Sequence, residues 1–230
     1  MAGYPLGWMS HGVRWGSTAA RAVACAVALI AVMGEARATV VASWNMNGID
    51  PLQQTVYAAN SGAGTLDFGG LGSSASVLQG TTLGATKGEL AGDALAAIGT
   101  LANATSFRLD FGSTDFAASG FSDLTLSFAT RRSATGPSMN RVEYWSGLGW
   151  MTALEFSSNA TAWQVTTVKF TTAQLLSGGF GSLRFVLDGA TSTSGSIRFD
   201  NIAVTGTPAP APGALALLGL AGCIGRRRRN

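Results

Sequence analysis

Two cysteines and one histidine are all that this 230-residue chain contains, and they stand near its ends as Cys25, His11 and Cys223. Between residues 39 and 206 there is neither residue type. That absence removes three chemistries from the central region: a Ser-His-Asp triad, a Cys-His pair and a histidine-ligated metal. It removes disulfides as well, which a core drawn from about 168 residues does not need. Charge is unevenly placed. The chain carries a formal +3, but Arg14, Arg21, Arg37, Arg226, Arg227, Arg228, Arg229 and Glu35 all lie outside 39–206. The centre keeps eight bases and eleven acids, a balance of about −3, so the basic character of the whole chain is no evidence for a nucleic-acid partner. Long apolar runs are also missing. Gly213 to Gly225, thirteen residues, makes a helix of about 20 Å against a bilayer core of about 30 Å. Finally, no spacing among Asp110, Asp115, Glu143 and Glu155 suggests two carboxylates facing each other across a cleft, as glycoside hydrolysis requires.

The two ends carry the clearest signals present. Residues 1–38 read as a secretory signal peptide, with Arg14 and Arg21 in a positive n-region, Ala22 to Met33 as the apolar stretch, and Ala36-Arg37-Ala38 as a small-x-small cleavage site. A signal peptidase is therefore an expected partner. Residues 207–230 read as a proline-rich spacer, a short apolar helix and an arginine cluster, Arg226 to Arg229. The arginines would anchor the segment at the cytoplasmic face. Prolines at 208, 210 and 212 keep the preceding segment extended.

This tail resembles the PEP-CTERM sorting signal of bacterial exported proteins. The motif stands here as Pro210-Ala211-Pro212, with Ala211 where the family usually has glutamate. The resemblance implies an exosortase-like sorting peptidase as partner, a membrane-held intermediate through the C-terminal helix, and release to the cell surface or extracellular matrix.

Residues 39–206 read as one all-β ectodomain, a two-sheet antiparallel sandwich. Short alternating runs recur between Gly, Ser, Asn and Asp clusters. Val40 to Trp44 is the first run. Gly92 to Ile98 reads as a strand, with a short helix over Glu89 to Ile98 as the alternative. Phe107, Leu109 and Phe111, then Leu124, Leu126 and Phe128, then Leu183, Phe185 and Leu187 each alternate with polar residues, which places each set on one face. Ser146-Gly147-Leu148-Gly149 reads as a hairpin turn, Trp163 to Phe170 as a strand, and Thr171 to Leu176 as a brief helical turn. Ile197 and Phe199 differ in parity from Ile202 and Val204, so a bulge is expected at Asp200-Asn201. The run Leu124 to Gly136, the Val142 to Trp150 hairpin and the ending Arg198 to Val204 are similar to the jelly-roll ectodomains found ahead of PEP-CTERM tails. Those in turn are similar to carbohydrate-binding sandwiches.

Two candidate sites follow. Tyr144, Trp145 and Trp150, with Trp163, are candidates for a sugar-stacking platform, because aromatic faces suit the C–H faces of pyranose rings. Trp145 has the opposite parity to Val142 and Tyr144 and is expected to face solvent. Asp188, Asp200 and Asn201, with Asn45 or Asp50, are candidate oxygen ligands for a structural calcium; ordinary turn chemistry is the competing account of the same residues. Arg131-Arg132 reads as a strand-end charge pair. Asn103-Ala104-Thr105 and Asn159-Ala160-Thr161 match the glycosylation sequon. The sequence thus reads as an exported, non-enzymatic sandwich that binds a polysaccharide at the surface. The alternative is a polysaccharide-active glycosidase or lyase on the same scaffold: a groove with two convergent acids would favour the enzyme, a flat aromatic patch the binding module.

Overall fold

The computed structural model describes residues 38–85, 88–111, 121–160, 162–171, 174 and 181–208. The signal peptide up to Arg37, where an N-terminal signal helix is expected, the sorting motif Pro210-Ala211-Pro212, the apolar tail with its expected helix, Arg226 to Arg229 and Asp115 lie outside the described residues.

Alternation dictates the architecture. Thirteen strands occur among the described residues: β1 (Thr39–Trp44), β2 (Val56–Ala58), β3 (Ser61–Gly62), β4 (Thr65–Asp67), β5 (Ala75–Gln79), β6 (Asp93–Ile98), β7 (Thr105–Asp110), β8 (Phe121–Arg132), β9 (Asn140–Trp145), β10 (Trp150–Phe156), β11 (Gln164–Phe170), β12 (Ser182–Leu187) and β13 (Ser196–Pro208). The region over 93–98 is a strand rather than a helix: Ala94, Leu95, Ala96 and Ala97 are all buried, and β6 pairs on both sides, with β5 and with β13. Of the expected turn over Thr171 to Leu176, only Thr171 and Gln174 are described, joined by the Thr171 amide donating to Gln174 Oε1 at 2.8 Å.

The strands form two antiparallel sheets. Six strands pair in the order β10-β9-β12-β7-β4-β2. Seven form the other sheet, with β11-β8-β13-β1-β3 in line and β6 joined to β13 with β5 beyond it. The inward residues of both sheets make one core. Phe107 and Phe185 of the first sheet stack at 4.6 Å, and Phe199 and Phe128 of the second meet them edge-on at 4.9 Å each. Burying each such ring contributes about 2–3 kcal/mol. The result is a jelly-roll-like sandwich.

Strand β13 organises the larger sheet. Its first half, Ser196 to Phe199, pairs with β6, while Ile202 to Gly206 pairs with β1 along the same edge. Its other edge pairs with β8 along its length. Where the partners change, the strand bulges: Asp200 stands opposite Ala129 and Ala203 opposite Ser127, so Asn201 and Ile202 share Phe128. Asn201 takes φ 48°, a left-handed conformation that Asn tolerates better than most residues. The extra residue restores parity, and Ile197, Phe199, Ile202 and Val204 are all buried.

Candidate functional site

The outer face of the six-stranded sheet gathers the chemistry. In β9, Val142 and Tyr144 point inward and Arg141, Glu143 and Trp145 outward. In β12, Leu183, Phe185 and Leu187 are buried, which leaves Ser182 and Arg184 outside. In β7, Phe107 and Leu109 are buried, which leaves Ser106, Arg108 and Asp110 outside. Across the strands the register builds a transverse row of Val56, Asp67, Arg108, Arg184, Glu143 and Thr152, each directly opposite the next. Beside it runs a second row with Thr65, Asp110 and Ser182, and Trp145 opposite Trp150 at its far end.

The tryptophan pair is made by the hairpin. The Ser146 amide and Oγ both donate to the Gly149 carbonyl, at 3.0 and 2.8 Å, and Gly147 takes φ 86°. That turn sets Trp145 against Trp150 with ring centres 5.5 Å apart and planes at 68°. The Arg184 guanidinium lies over the Trp150 ring, 4.4 Å from its centre, a cation–π contact of about 0.5–2 kcal/mol.

Glu143 holds that guanidinium in place. Its side chain is only 7% exposed and accepts from Arg184 Nε and Arg141 Nε, each at 2.5 Å. Burial pushes the Glu143 carboxyl up, but the hydrogen bonds and charges of Arg141 and Arg184 outweigh it and bring the carboxyl below its ordinary value. Asp110 is engaged similarly, by Arg108 Nε at 2.6 Å and by the Ser182 hydroxyl. Two hollows flank this network. One, of about 240 Å³, is bounded by Asp67, Gly70, Ser106, Arg108, Trp150 and Arg184. Its wall at Gly70 has no room for a side chain, because a Cβ there would lie 2.4 Å from the Ser106 carbonyl. The other, of about 430 Å³, lies between residues 138–141 and 155–157. On its wall stands Asn140, whose Oδ1 is the one buried side-chain polar atom without a partner among the described residues.

Of the candidate stacking residues, Trp145 and Trp150 share this face. Tyr144 does not. It is partly buried against the core, with its ring edge-on to Phe170 at 6.2 Å. Its parity with Val142 required that. Trp163 directly precedes β11, a strand of the other sheet.

The candidate calcium residues do not form one oxygen cage. Asp188 follows β12 in the six-stranded sheet and caps its own turn, its Oδ1 accepting the Gly189 amide at 2.7 Å. Asp200 lies in the other sheet, fully buried, with Oδ2 accepting the Thr81 amide and Oδ1 the Asn201 amide, both at 2.7 Å. The Asn201 amide group donates to the Thr81 and Leu83 carbonyls. Asn45 Oδ1 accepts the Asn47 amide and Asp50 Oδ1 the Leu52 amide, which is turn chemistry. Among the described residues there is no group of three or more His, Cys, Asp or Glu side chains placed to hold a metal.

Other candidates have local duties. Arg132 donates to the carbonyls of Ser158, Ser133 and Ala134, and Arg131 stands opposite Arg198 on the larger sheet. The Asn103 amide bridges to both backbone groups of Ala190. No helix among the described residues is long and apolar enough to cross a membrane.

Sequence reasoning did not single out Arg108, Arg141 and Arg184. Their signal was present as the polar members of alternating strands. What the sequence did not show was that β7, β12 and β9, far apart along the chain, are neighbours.

No protein family and no curated protein matches this sequence. Among solved structures, the chain is similar to the CBM22-1 xylan-binding domain of Xyn10C from Paenibacillus barcinonensis, at 10% identity over 77% of this chain and all of that one, TM-score 0.43. It is similar to a mutant of CBM29-2, a family 29 carbohydrate binding module complexed with cellulohexaose, at 13% identity over 76% of this chain and 94% of that one, TM-score 0.40. A third is the CBM22-1–GH10 portion of xylanase Xyn10B from Clostridium thermocellum complexed with xylohexaose, at 15% identity over 63% of this chain and 27% of that one, TM-score 0.39.

Proposed function

We propose that the chain is a non-enzymatic polysaccharide-binding sandwich, and that its ligand lies on the outer face of the six-stranded sheet. The observation that carries this reading is the pair Trp145 and Trp150, turned outward beside a row of charged side chains that hydrogen-bond one another. Aromatic rings supply apolar faces for pyranose C–H groups, and the flanking donors and acceptors supply partners for hydroxyls.

The same network argues for binding over hydrolysis. A glycosidase needs one carboxyl held protonated as a general acid. Glu143 is held in the opposite sense, ionised between two arginines. Among the described residues, the carboxyl that is raised, Asp200, has no exposed surface. The test is retention of the full chain on a panel of immobilised polysaccharides, with Trp145→Ala and Trp150→Ala as variants. Each variant is expected to lose binding by about tenfold, or 1.4 kcal/mol, while still melting as a folded protein. Retention equal to the parent would refute the platform.

The reading includes export. Residues 1–38 are removed by a signal peptidase, and the tail over 207–230 is cut near Pro210-Ala211-Pro212 by an exosortase-like enzyme, which leaves the sandwich at the surface or in the matrix. The support is the order of parts in the sequence. The mass of the surface form decides it: material still carrying Gly213 to Asn230 would refute processing.

A further inference from the structure

The smaller hollow beside Trp150 is built around two arginines, and their bonding leaves them unevenly used. Arg108 and Arg184 stand directly opposite each other on neighbouring strands. Like charges so placed disfavour the sheet unless something lies between them. Each guanidinium is engaged by the protein once, through Nε: Arg108 in an ion pair with Asp110, and Arg184 in a hydrogen-bonded ion pair with Glu143. The Glu143 bond and the Trp150 ring fix the plane of the Arg184 group, and the Asp110 carboxylate holds Arg108 beside it. Among the described residues, neither guanidinium donates to the protein through its Nη atoms. The side chains stay accessible, Arg108 at 49% and Arg184 at 29% exposure. The carboxylates near them are already engaged: Glu143 serves Arg141 as well as Arg184, Asp110 also accepts from Ser182, and Asp67, opposite Arg108, accepts the Gly69 amide.

A guanidinium fixed through Nε presents a planar edge of N–H donors, the shape that a carboxylate matches with two parallel hydrogen bonds. Two such edges border a space of about 240 Å³, with the Trp150 ring and the Asp67 carboxylate on the same wall. We infer that this hollow binds the carboxylate of an acidic sugar, a uronic acid unit of a polysaccharide, through Arg108 and Arg184. The sugar ring packs toward Trp150, and Asp67 accepts from a ring hydroxyl and so orients the unit. This rests on the polysaccharide-binding reading above and narrows its ligand.

The probes are polygalacturonate and alginate, each beside its carboxyl-reduced form, in which the carboxylates have become neutral hydroxymethyl groups on the same backbone. The full chain is expected to bind at least one acidic polymer at least about tenfold more tightly than its reduced partner, since hydrogen bonds to a charged group are stronger than those to a neutral one, and to weaken as salt is raised. Arg108→Gln and Arg184→Lys should each erase that preference. Arg184→Lys keeps the positive charge beside Glu143 while removing the planar donor edge, and Arg108→Gln leaves the Glu143 clasp untouched, so melting confirms that the variants are folded. Equal or tighter binding of the reduced polymers overturns the acidic-sugar inference and leaves the platform standing. A preference that survives in both folded variants overturns it too. Binding of neither form of either polymer overturns it as well. The platform itself falls only when the wider panel also shows no retention.

Discussion

Asp200 offers the sharpest test of the folded structure, because a carboxyl with no exposed surface sits in a strand bulge. Burial, aided by the charges of Glu89 and Asp93, outweighs the lowering by the amides of Thr81 and Asn201 and raises its pKa from 3.8 to about 7. A folded-state value above the unfolded one means that the folded protein holds a proton which the unfolded chain releases. Stability contributed by that proton is full below pH 4 and declines as pH rises through 7. The whole shift corresponds to about 4 kcal/mol, of which about 2–3 kcal/mol falls between pH 5 and 8. For a domain of this size that is roughly 5–10 °C in Tm. The assay is thermal melting of the parent and of Asp200→Asn at pH 5 and pH 8. Asn cannot ionise, so the variant lacks this slope. It also has one acceptor for two amide donors, which costs about 1–2 kcal/mol at low pH. The parent should therefore be the more stable protein at pH 5 and lose that advantage by pH 8. A parent-minus-variant difference that stays constant, or grows with pH, would refute the argument that Asp200 is protonated when folded.

Glu143→Gln leaves one acceptor for two Nε–H donors and no charge between Arg141 and Arg184. The expected cost is about 2 kcal/mol, together with a change in tryptophan emission as Arg184 leaves Trp150; unchanged melting and emission would show that the clasp does nothing. Gly136→Ala places a Cβ 2.1 Å from the Ser196 carbonyl oxygen, against backbone that cannot yield, whereas Gly149→Ala meets nothing within 4 Å. The first should cost about 1–3 kcal/mol and the second almost nothing by denaturant unfolding; equal effects would contradict the packing between the 136 turn and β13. Because Asp200 spends both carboxyl oxygens on the Thr81 and Asn201 amides, EGTA is expected to leave Tm unchanged, and a fall of several degrees would support a calcium site.

Local sequence determined the parts of this protein that depend on alternation. A period of two puts Phe107, Leu109, Leu124, Leu126, Phe128, Leu183 and Phe185 on inward faces whichever strands they pair with, because side-chain direction is a property of the strand alone. The break in parity between Phe199 and Ile202 demanded a bulge for the same reason, and the glycines at 147 and 149 marked the hairpin. The outward direction of Trp145 and the inward direction of Tyr144 were readable too, from one residue of offset. Strand neighbours were not. Pairing β7 with β12 joins residues more than 70 positions apart, and no local propensity encodes that choice; it is made by how the two sheets bury their apolar faces together. Hence the cluster of Arg108, Arg184 and Glu143 around Trp150 exists only in the folded protein. Asp200 likewise reads as a turn residue in the sequence. It becomes a buried acid only because β6 and β1 part at the bulge and the backbone at Thr81 closes over it, in a place where burial disfavours the ionised form.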